Sequence, residues 1–528
     1  MDTFDQSGGS FGLLDVLTNS AGLVSPGTAP RLTSMNVIPT QDTQGNQLFA
    51  PVPPALPTPF PNIFANNNLS PYGFAIAWGN DSGLKTPYSY TIDFSIAREL
   101  RSGFSIEAAY VGRLSHRLLA QEDTAMPLNL TDPKTKVTYF QAIDTLAKLY
   151  RQGVPTSSVT PQMVGSTAQY WADIMPPVGP GGAYSLSCSG GGTGNALQAV
   201  YDLFSCFSQN ETTALFIYDL FGISDANNDP NCGQPGFPAC NGPYFPTNNP
   251  GTFWNGQYSS LYAWRTIGNA AYNAMQLTLR HRMSHGFQFD FNYTFSKSMD
   301  INSDAERIGQ WGGLSGQIIN SWDPNALRAV SDFDATHQFN ANWIAELPFG
   351  KGRALAPNAH GFLDAVIGGW QLSGLFRHTS GFPVNISNGF QWPTNWQLGG
   401  NAQLIAPVKT GAFPVTSGPD AGNINIFSNG PDAIGAFQSP FPGSGGARNQ
   451  IRGQGFFNVD LGLAKRWHMP WNEKYTLQFR WEVFNVTNSV RFNVQSNVPE
   501  VDISSTFGNY TGLLTNPRVM QFALRFEF

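Results

Sequence analysis

The sequence lacks any run of about 18 apolar residues, so no part of it can cross a bilayer as an α-helix. It is also poor in charge. Asp, Glu, Lys and Arg make up 12% of its 528 residues, roughly half the share usual in soluble domains. A net charge of −6 argues against nucleic acid as a partner, because neutralising a phosphate backbone needs a basic surface. Cysteine is scarce. Cys188, Cys206, Cys232 and Cys240 lie in one Gly-, Asn- and Pro-rich stretch, and none stands in a CxxC pair. That spacing argues against a zinc ribbon and leaves loop disulfides, in any of three pairings, as the plain reading.

Signatures of catalysis are missing as well. The seven His form no HExxH motif; His281 and His285 stand four apart, but across a strand end and a turn. There is no GxSxG elbow. Phe349-Gly350-Lys351-Gly352-Arg353 is Gly-rich and basic but lacks the spacing of a phosphate-binding loop, and it reads as a turn. Asp300, Asn302, Asp304 and Glu306 are spaced by two like a calcium loop, as are Asp225, Asn227 and Asp229. The first set lacks the obligatory Gly and its Glu comes too early, so both read as solvated loops. No metal and no cofactor is expected, and the role should be transport or surface binding rather than catalysis.

What is present is aromatic and turn-forming. Aromatics reach 13%, with 40 Phe, alongside 55 Gly and 38 Pro. From Phe287 to Ser296 every odd residue is a ring and every even residue is polar: Phe287, Phe289, Phe291, Tyr293 and Phe295 against Gln288, Asp290, Asn292, Thr294 and Ser296. At helical period these rings would scatter around the circumference; in a strand they form one face. The pattern recurs from Tyr88 to Ile96, Phe104 to Tyr110, Met275 to Leu279, Phe339 to Leu347, Trp370 to Phe376, Phe457 to Leu463, Tyr475 to Val483 and Met520 to Phe528. A soluble sheet would bury mostly Val, Ile and Leu and carry many charges outside. Rings on one face, with Arg480 and Glu482 among polar residues on the other, suit lipid opposite a wet lumen.

Connection lengths give an independent test, because membrane barrels alternate short inner turns with long outer loops. With Phe528 on the inner side, walking backwards gives 488–515 outside and long, 468–473 inside and short, 389–451 outside and long, and 349–363 inside and moderate. Then 301–334 is outside and long, 284–286 inside and tight, 120–268 outside and very long, and 101–103 inside and tight. The predicted fold is all-β: a transmembrane antiparallel outer-membrane β-barrel, partial, with about 9–12 strands and long extracellular loops. Residues 1–85 read as an irregular segment on the outer side, and 86–528 as the barrel part, including the insertion 120–268. Tyr72 to Gly79 is a weak further strand candidate, and Ala214 to Tyr218 another. Nine is an odd count, and Met1-Asp2-Thr3-Phe4-Asp5 is no signal peptide. Both point to the C-terminal part of a longer protein.

Three stretches carry a family resemblance. They are Tyr272-Asn273-Ala274-Met275-Gln276-Leu277 through Tyr293-Thr294-Phe295-Ser296-Lys297-Ser298-Met299-Asp300, then Asp332-Phe333-Asp334-Ala335-Thr336-His337-Gln338-Phe339 leading to Leu347-Pro348-Phe349-Gly350-Lys351-Gly352, then Arg480-Trp481-Glu482-Val483-Phe484-Asn485-Val486-Thr487-Asn488. Over roughly residues 85–119 and 265–528 the chain resembles the C-terminal barrel of TonB-dependent receptors of the Oar-like, carboxypeptidase-regulatory-domain type. The resemblance implies uptake of a ligand (oligosaccharide, peptide or chelate) and a TonB-type energy transducer acting through an N-terminal plug. No plug-like segment is seen in this sequence. A surface adhesin or passive barrel is the alternative.

Two residue sets follow as candidates. Met520, Phe522, Leu524, Phe526 and Phe528 look like the insertion signal read by the outer-membrane assembly machinery, an edge strand with an aromatic face. In the outer loops, Trp311, Trp322, Trp392 and Trp396 stand among Asn, Tyr and Gly, a composition that can stack on and hydrogen-bond a sugar or peptide.

Overall fold

The computed structural model describes residues 37–41, 47–51, 76–81, 83–124, 129, 131–132, 134–174, 195–206, 260–303, 317–318, 320–321, 323–388, 400–469, 471–493 and 499–528. Nine strands form its body: β1 (Tyr88–Glu99), β2 (Phe104–Asp123), β3 (Ser260–Ser284), β4 (Phe287–Asp300), β5 (His337–Glu346), β6 (Trp370–Thr379), β7 (Phe456–Met469), β8 (Asn472–Phe484) and β9 (Val519–Glu527). They are the nine segments whose alternation marks them in the sequence. Each pairs antiparallel with the next in chain order. Among the described residues β1 and β9 do not pair with each other, so the sheet is an open, partial barrel.

Register carries the alternation from strand to strand. Phe94 pairs with Tyr110, which pairs with Met275, which pairs with Phe295. The same face continues through Phe289, Trp343, Gly374, Leu461, Val483 and Met520. The opposite face shows an unbroken polar rung: Glu107, Thr278, Asn292, Asn340, Arg377 and Asn458. A slip of one residue at any pairing would exchange the two faces. The apolar face lies open: Phe94 and Ile96 are 62% and 63% exposed, and Phe522 and Leu524 are both 68% exposed. A surface of that extent is stable only against an apolar solvent, which for this fold is lipid. Rings cluster toward the outer rim, where Tyr293 stacks on Phe339 at 4.4 Å and His116 packs against Tyr88. They cluster again at the inner rim, around Trp370 and Trp467.

The inner turns explain their sequences. His285 and Gly286 both have positive φ, 53° and 79°, the pair that a two-residue hairpin turn requires. Gly374 is required for a different reason. The Trp343 ring lies across it, and a Cβ there would stand 2.1 Å from the indole.

Two strands run well beyond the membrane. β2 has 20 residues and β3 has 25, so β3 spans roughly 80 Å at about 3.3 Å per residue, against an apolar band about 25 Å tall. The surplus stands on the outer side. There Ile76–Asn80 pairs parallel with the start of β3, and Gln317–Ile318 pairs parallel with the end of β2. The weak strand candidate at 72–79 is therefore a strand over 76–80, but it lies on the extended hairpin rather than beside β1. Within 1–85, Val37–Gln41 and Gln47–Pro51 form a separate antiparallel pair.

The insertion after β2 holds helices that the period-two reading did not anticipate: α1 (Tyr139–Arg151), α2 (Pro161–Val164), α3 (Ala168–Ile174) and α4 (Ala196–Cys206). A capping box starts α1, with Thr138 accepting from the Gln141 amide and Gln141 accepting from the Thr138 amide. Ala142, Ile143, Leu146 and Ala147 then recur at helical spacing and pack with Tyr170, Trp171, Val200 and Phe204. A second buried cluster, built from Val384, Ile386, Ile426, Phe427, Phe437 and Phe507, lies in the connections after β6 and β8. One further short helix, α5 (Phe362–Ile367), sits in the inner connection between β5 and β6.

Candidate functional site

The outer mouth is where the long connections meet the polar face of the sheet. Its base is the stretch Asp332 to His337. Asp334 accepts from the Ser298 amide of β4 at 2.6 Å, and the Ser298 and Ser331 hydroxyls are 2.8 Å apart. Both carboxylates then receive arginines from the connection that precedes β7. Arg448, buried, donates to Asp300 at 3.0 Å, to Asp332 at 2.9 Å and to the Ser303 hydroxyl at 2.9 Å. Arg452 pairs with Asp334 and donates to the Asp334 and Gly381 carbonyls at 2.9 and 3.0 Å. Asn449, between them, donates to Asp332 and to the Val330 carbonyl. Burial works against the charge on Arg448, but Asp332 and Asp300 more than offset it and raise its pKa above the ordinary value. Asp300, the first residue of the calcium-like run, is thus a partner of Arg448, and the run from Asp304 onward lies outside the described residues.

The last outer connection is closed by Asn485. Its backbone is left-handed, with φ 51°, which Asn tolerates better than most residues. Its amide nitrogen donates to the Ser489 and Asn516 carbonyls at 3.0 and 2.9 Å, and its backbone N–H donates to Asp460 on β7 at 2.8 Å. Asn488 accepts from the Arg518 amide just before β9. Two of the three stretches that carry the family resemblance are therefore fastenings between loops and barrel.

The connections also hold one another. Arg151 at the end of α1 donates to the Ser439 and Pro440 carbonyls at 2.6 and 2.7 Å, with its guanidinium 3.9 Å from the Phe441 ring centre. Asn320 donates to the Gly443 carbonyl at 3.0 Å. Asn425 donates to the Phe507 carbonyl and to Asn509, while Phe427 and Phe507 stack at 5.3 Å. Tyr510 donates to the Gly411 carbonyl at 2.6 Å, and burial pushes its hydroxyl up to about 12. On the extended hairpin Arg265 bridges Asp81 and Glu122 at 2.9 and 2.6 Å. The result is a crown with its own buried cores, fixed to the rim by charge-assisted bonds.

Among the unsatisfied polar atoms of the crown, those of Asn385 and Asn388 lie three residues apart in one connection. Asn388 is fully buried, and neither atom of its amide group has a hydrogen-bond partner; the Asn385 side-chain oxygen beside it is likewise unpartnered. Unpaired buried amides are rare and call for a water or ligand partner. Sequence reasoning did not single them out, because an Asn in a polar loop carries no signal of its burial.

Trp311, Trp322, Trp392 and Trp396 all lie outside the described residues. Cys206 ends α4 and is disulfide-bonded; Cys188, Cys232 and Cys240 lie outside the described residues, as does the candidate strand at Ala214 to Tyr218. Met520, Phe522, Leu524 and Phe526 lie on the apolar face of β9, paired on one side with β8, and Phe528 follows at 93% exposure. Among the described residues no group of His, Cys, Asp and Glu could hold a metal.

The family described as outer membrane beta barrel domain matches residues 209–521. No curated protein matches the sequence. Among solved structures the chain is similar to the outer membrane transporter YddB from Escherichia coli, at 9% identity over 86% of this chain and 34% of that one, with a TM-score of 0.32. It is similar to the ferripyoverdine receptor of the outer membrane of Pseudomonas aeruginosa, at 9% identity over 84% and 28%, with a TM-score of 0.29. The FrpB iron transporter from Neisseria meningitidis gives 8% identity over 85% and 33%, with a TM-score of 0.27. The chain spans about a third of the length of these proteins. Its matched residues take in six of the nine strands, the start of β9 and the connections between them, and the chain belongs to the outer membrane beta barrel domain family.

Proposed function

We propose that this chain is the membrane-embedded barrel of a TonB-dependent receptor of the Oar-like kind, which binds a polar ligand at its crown and passes it inward, and that it performs no catalysis. The observation that carries the reading is the pairing of a continuous polar inner face with a crown fastened to the rim through Asp332, Asp334 and Asn485. Such a crown is a preorganised recognition surface set over a polar passage. The unpartnered side-chain oxygen of Asn385 and the unpartnered amide of Asn388 are suited to hydroxyl, amide or carbonyl groups of an oligosaccharide, a peptide or a chelate. The energised step would come from a TonB-type transducer acting through a plug.

The test is accumulation in cells carrying the natural gene, set against a deletion strain. The probes are a labelled maltodextrin, an oligopeptide and a ferric hydroxamate, each with and without a protonophore. Gene-dependent accumulation that the protonophore abolishes supports the receptor reading. Gene-dependent retention at the surface, unaffected by the protonophore, overturns it in favour of an adhesin or passive barrel.

A further inference from the structure

The inner connection between β5 and β6 holds a structured platform where a barrel needs only a turn. Gly350 donates to the Leu355 carbonyl at 3.0 Å, Leu355 donates back to Pro348 at 2.8 Å, and Asp364 accepts from the Lys351 amide at 2.6 Å. Gly350 packs so closely on the end of α5 that a Cβ there would stand 2.6 Å from the Gly368 Cα. The platform therefore fixes where α5 lies.

Three side chains of the sheet hold the carbonyls at the C-terminal end of α5, groups that have no partner within the helix. Trp370 donates to Val366 at 2.8 Å, Trp467 donates to Ala365 at 2.8 Å, and Lys465 donates to Val366 at 3.2 Å and to Gly368. All three project from the apolar face. Trp370 and Lys465 are register partners, Lys465 pairs with Phe479, and Trp467 pairs with Leu477. The Lys465 ammonium sits 5.4 and 5.3 Å from the two indole centres. So α5 folds back against the lipid side of the sheet, not under the lumen. It presents Phe362 at 86% exposure, with Leu363 and Val366 about half exposed.

We propose that α5 is an interfacial anchor, embedded in the phospholipid of the periplasmic leaflet, with Phe362, Leu363 and Val366 as its inserted residues. The proposal rests on the membrane placement of the sheet. The occupant is fixed by continuity: the helix is held by side chains of the lipid-facing band, and its exposed residues extend that band past the strand ends. Trp and Lys at this level are the residues that settle at a bilayer interface, and a short helix with one apolar face lies in that plane. Trp471, in the neighbouring inner turn and 69% exposed, stands ready to join it. The device would set the depth and tilt of β5, β6 and β7 in the bilayer.

The experiment places a benzophenone-bearing phenylalanine at position 362 of the full chain, folded into phosphatidylethanolamine–phosphatidylglycerol vesicles and irradiated. Position 362 is exposed, so the substitution leaves the fold undisturbed. The same probe at Phe94 reports on the membrane face itself. The expected result is a mass shift of one phospholipid on the peptide that carries 362, as on the peptide that carries 94. A lipid adduct at 94 but none at 362, or a protein–protein crosslink at 362, overturns the anchor while the membrane reading stands. Absence of lipid adducts at both positions overturns both.

Discussion

The lipid-facing sheet and the crown above it use the same residue type in opposite ways. Phe522 on β9 is 68% exposed, whereas Phe427 in the crown is fully buried between Phe437 and Phe507. The crown folds as a water-soluble domain does, by removing apolar surface from water at roughly 25 cal/mol per Å². The sheet gains nothing from water in that way. Its rings are stabilised by lipid, and its backbone, between the open edges at β1 and β9, by pairing of each strand with its neighbours. Two solvents therefore act on one chain, and the boundary between them runs through the rim where Asp300, Asp332 and Asp334 meet Arg448 and Arg452.

Breaking that boundary should separate the two regions. Arg448→Ala leaves the buried Asp300 and the half-buried Asp332 without their cation, at a cost of about 3–5 kcal/mol. The loss should fall on the crown. Limited proteolysis should cleave the connections after β4 and β6 much faster than in the parent chain, while the far-UV signal of the strands stays constant. Loss of strand signal together with the crown would show the two regions to be one cooperative unit. The lipid side is probed by Phe291→Arg, a mid-strand position on β4 flanked by Leu279 and Ala341. In lipid the change should destabilise the sheet by about 2–4 kcal/mol, read from denaturant unfolding in vesicles. A neutral result would mean that this face does not meet hydrocarbon.

The two regions also differ in how much of them was legible in the sequence. All nine sheet strands could be read, because alternation is local and rings at period two admit few other structures. The alternation of short and long connections assigned each connection to the inner or the outer side as well. The crown was read poorly for a physical reason. Arg448 and Asp332 are 116 residues apart, and no local pattern pairs them. The stretches around Asp332 and Asn485 stood out as family resemblance, but their task of fastening loops to the rim was invisible. The crown does carry one local signal. Thr138 with Gln141 is a capping box, and the apolar residues that follow at helical spacing announce α1 inside the long outer connection 120–268. The parallel pairing of Ile76–Asn80 with β3 could not have been inferred, since period two marks a strand but not its partner.

Smaller effects sharpen the contrast. Gly374→Val should cost about 1–3 kcal/mol by overpacking against Trp343, because the new Cβ has no room beneath the indole. Adding Trp343→Ala should restore most of that loss, and denaturant unfolding of the two single variants and the double variant checks it. Costs that simply add would show that the ring is not what excludes a side chain at 374. The smallest effect concerns acid, and it should appear only in the crown. Asp132 is buried at the entrance to the helical insertion, where it accepts from the Lys134 and Thr135 amides and the Thr135 hydroxyl. Burial opposes its ionisation, yet the Thr135 hydroxyl and the two amides outweigh burial and hold its pKa below the ordinary 3.8. A depressed carboxylate contributes stability that is fully present above 3.8 and is lost only as pH falls through the lower, folded value. Amide exchange of α1 should therefore stay constant from neutral pH down to about 4, once corrected for intrinsic rates, and quicken below it. Asp132→Asn should remove the acid step, leaving α1 equally exchangeable on both sides of it. The amides of β5 and β6 should show no such step in either chain. A step shared by sheet and insertion would show that Asp132 is not its origin, and would join in acid the two regions that neutral solution keeps apart.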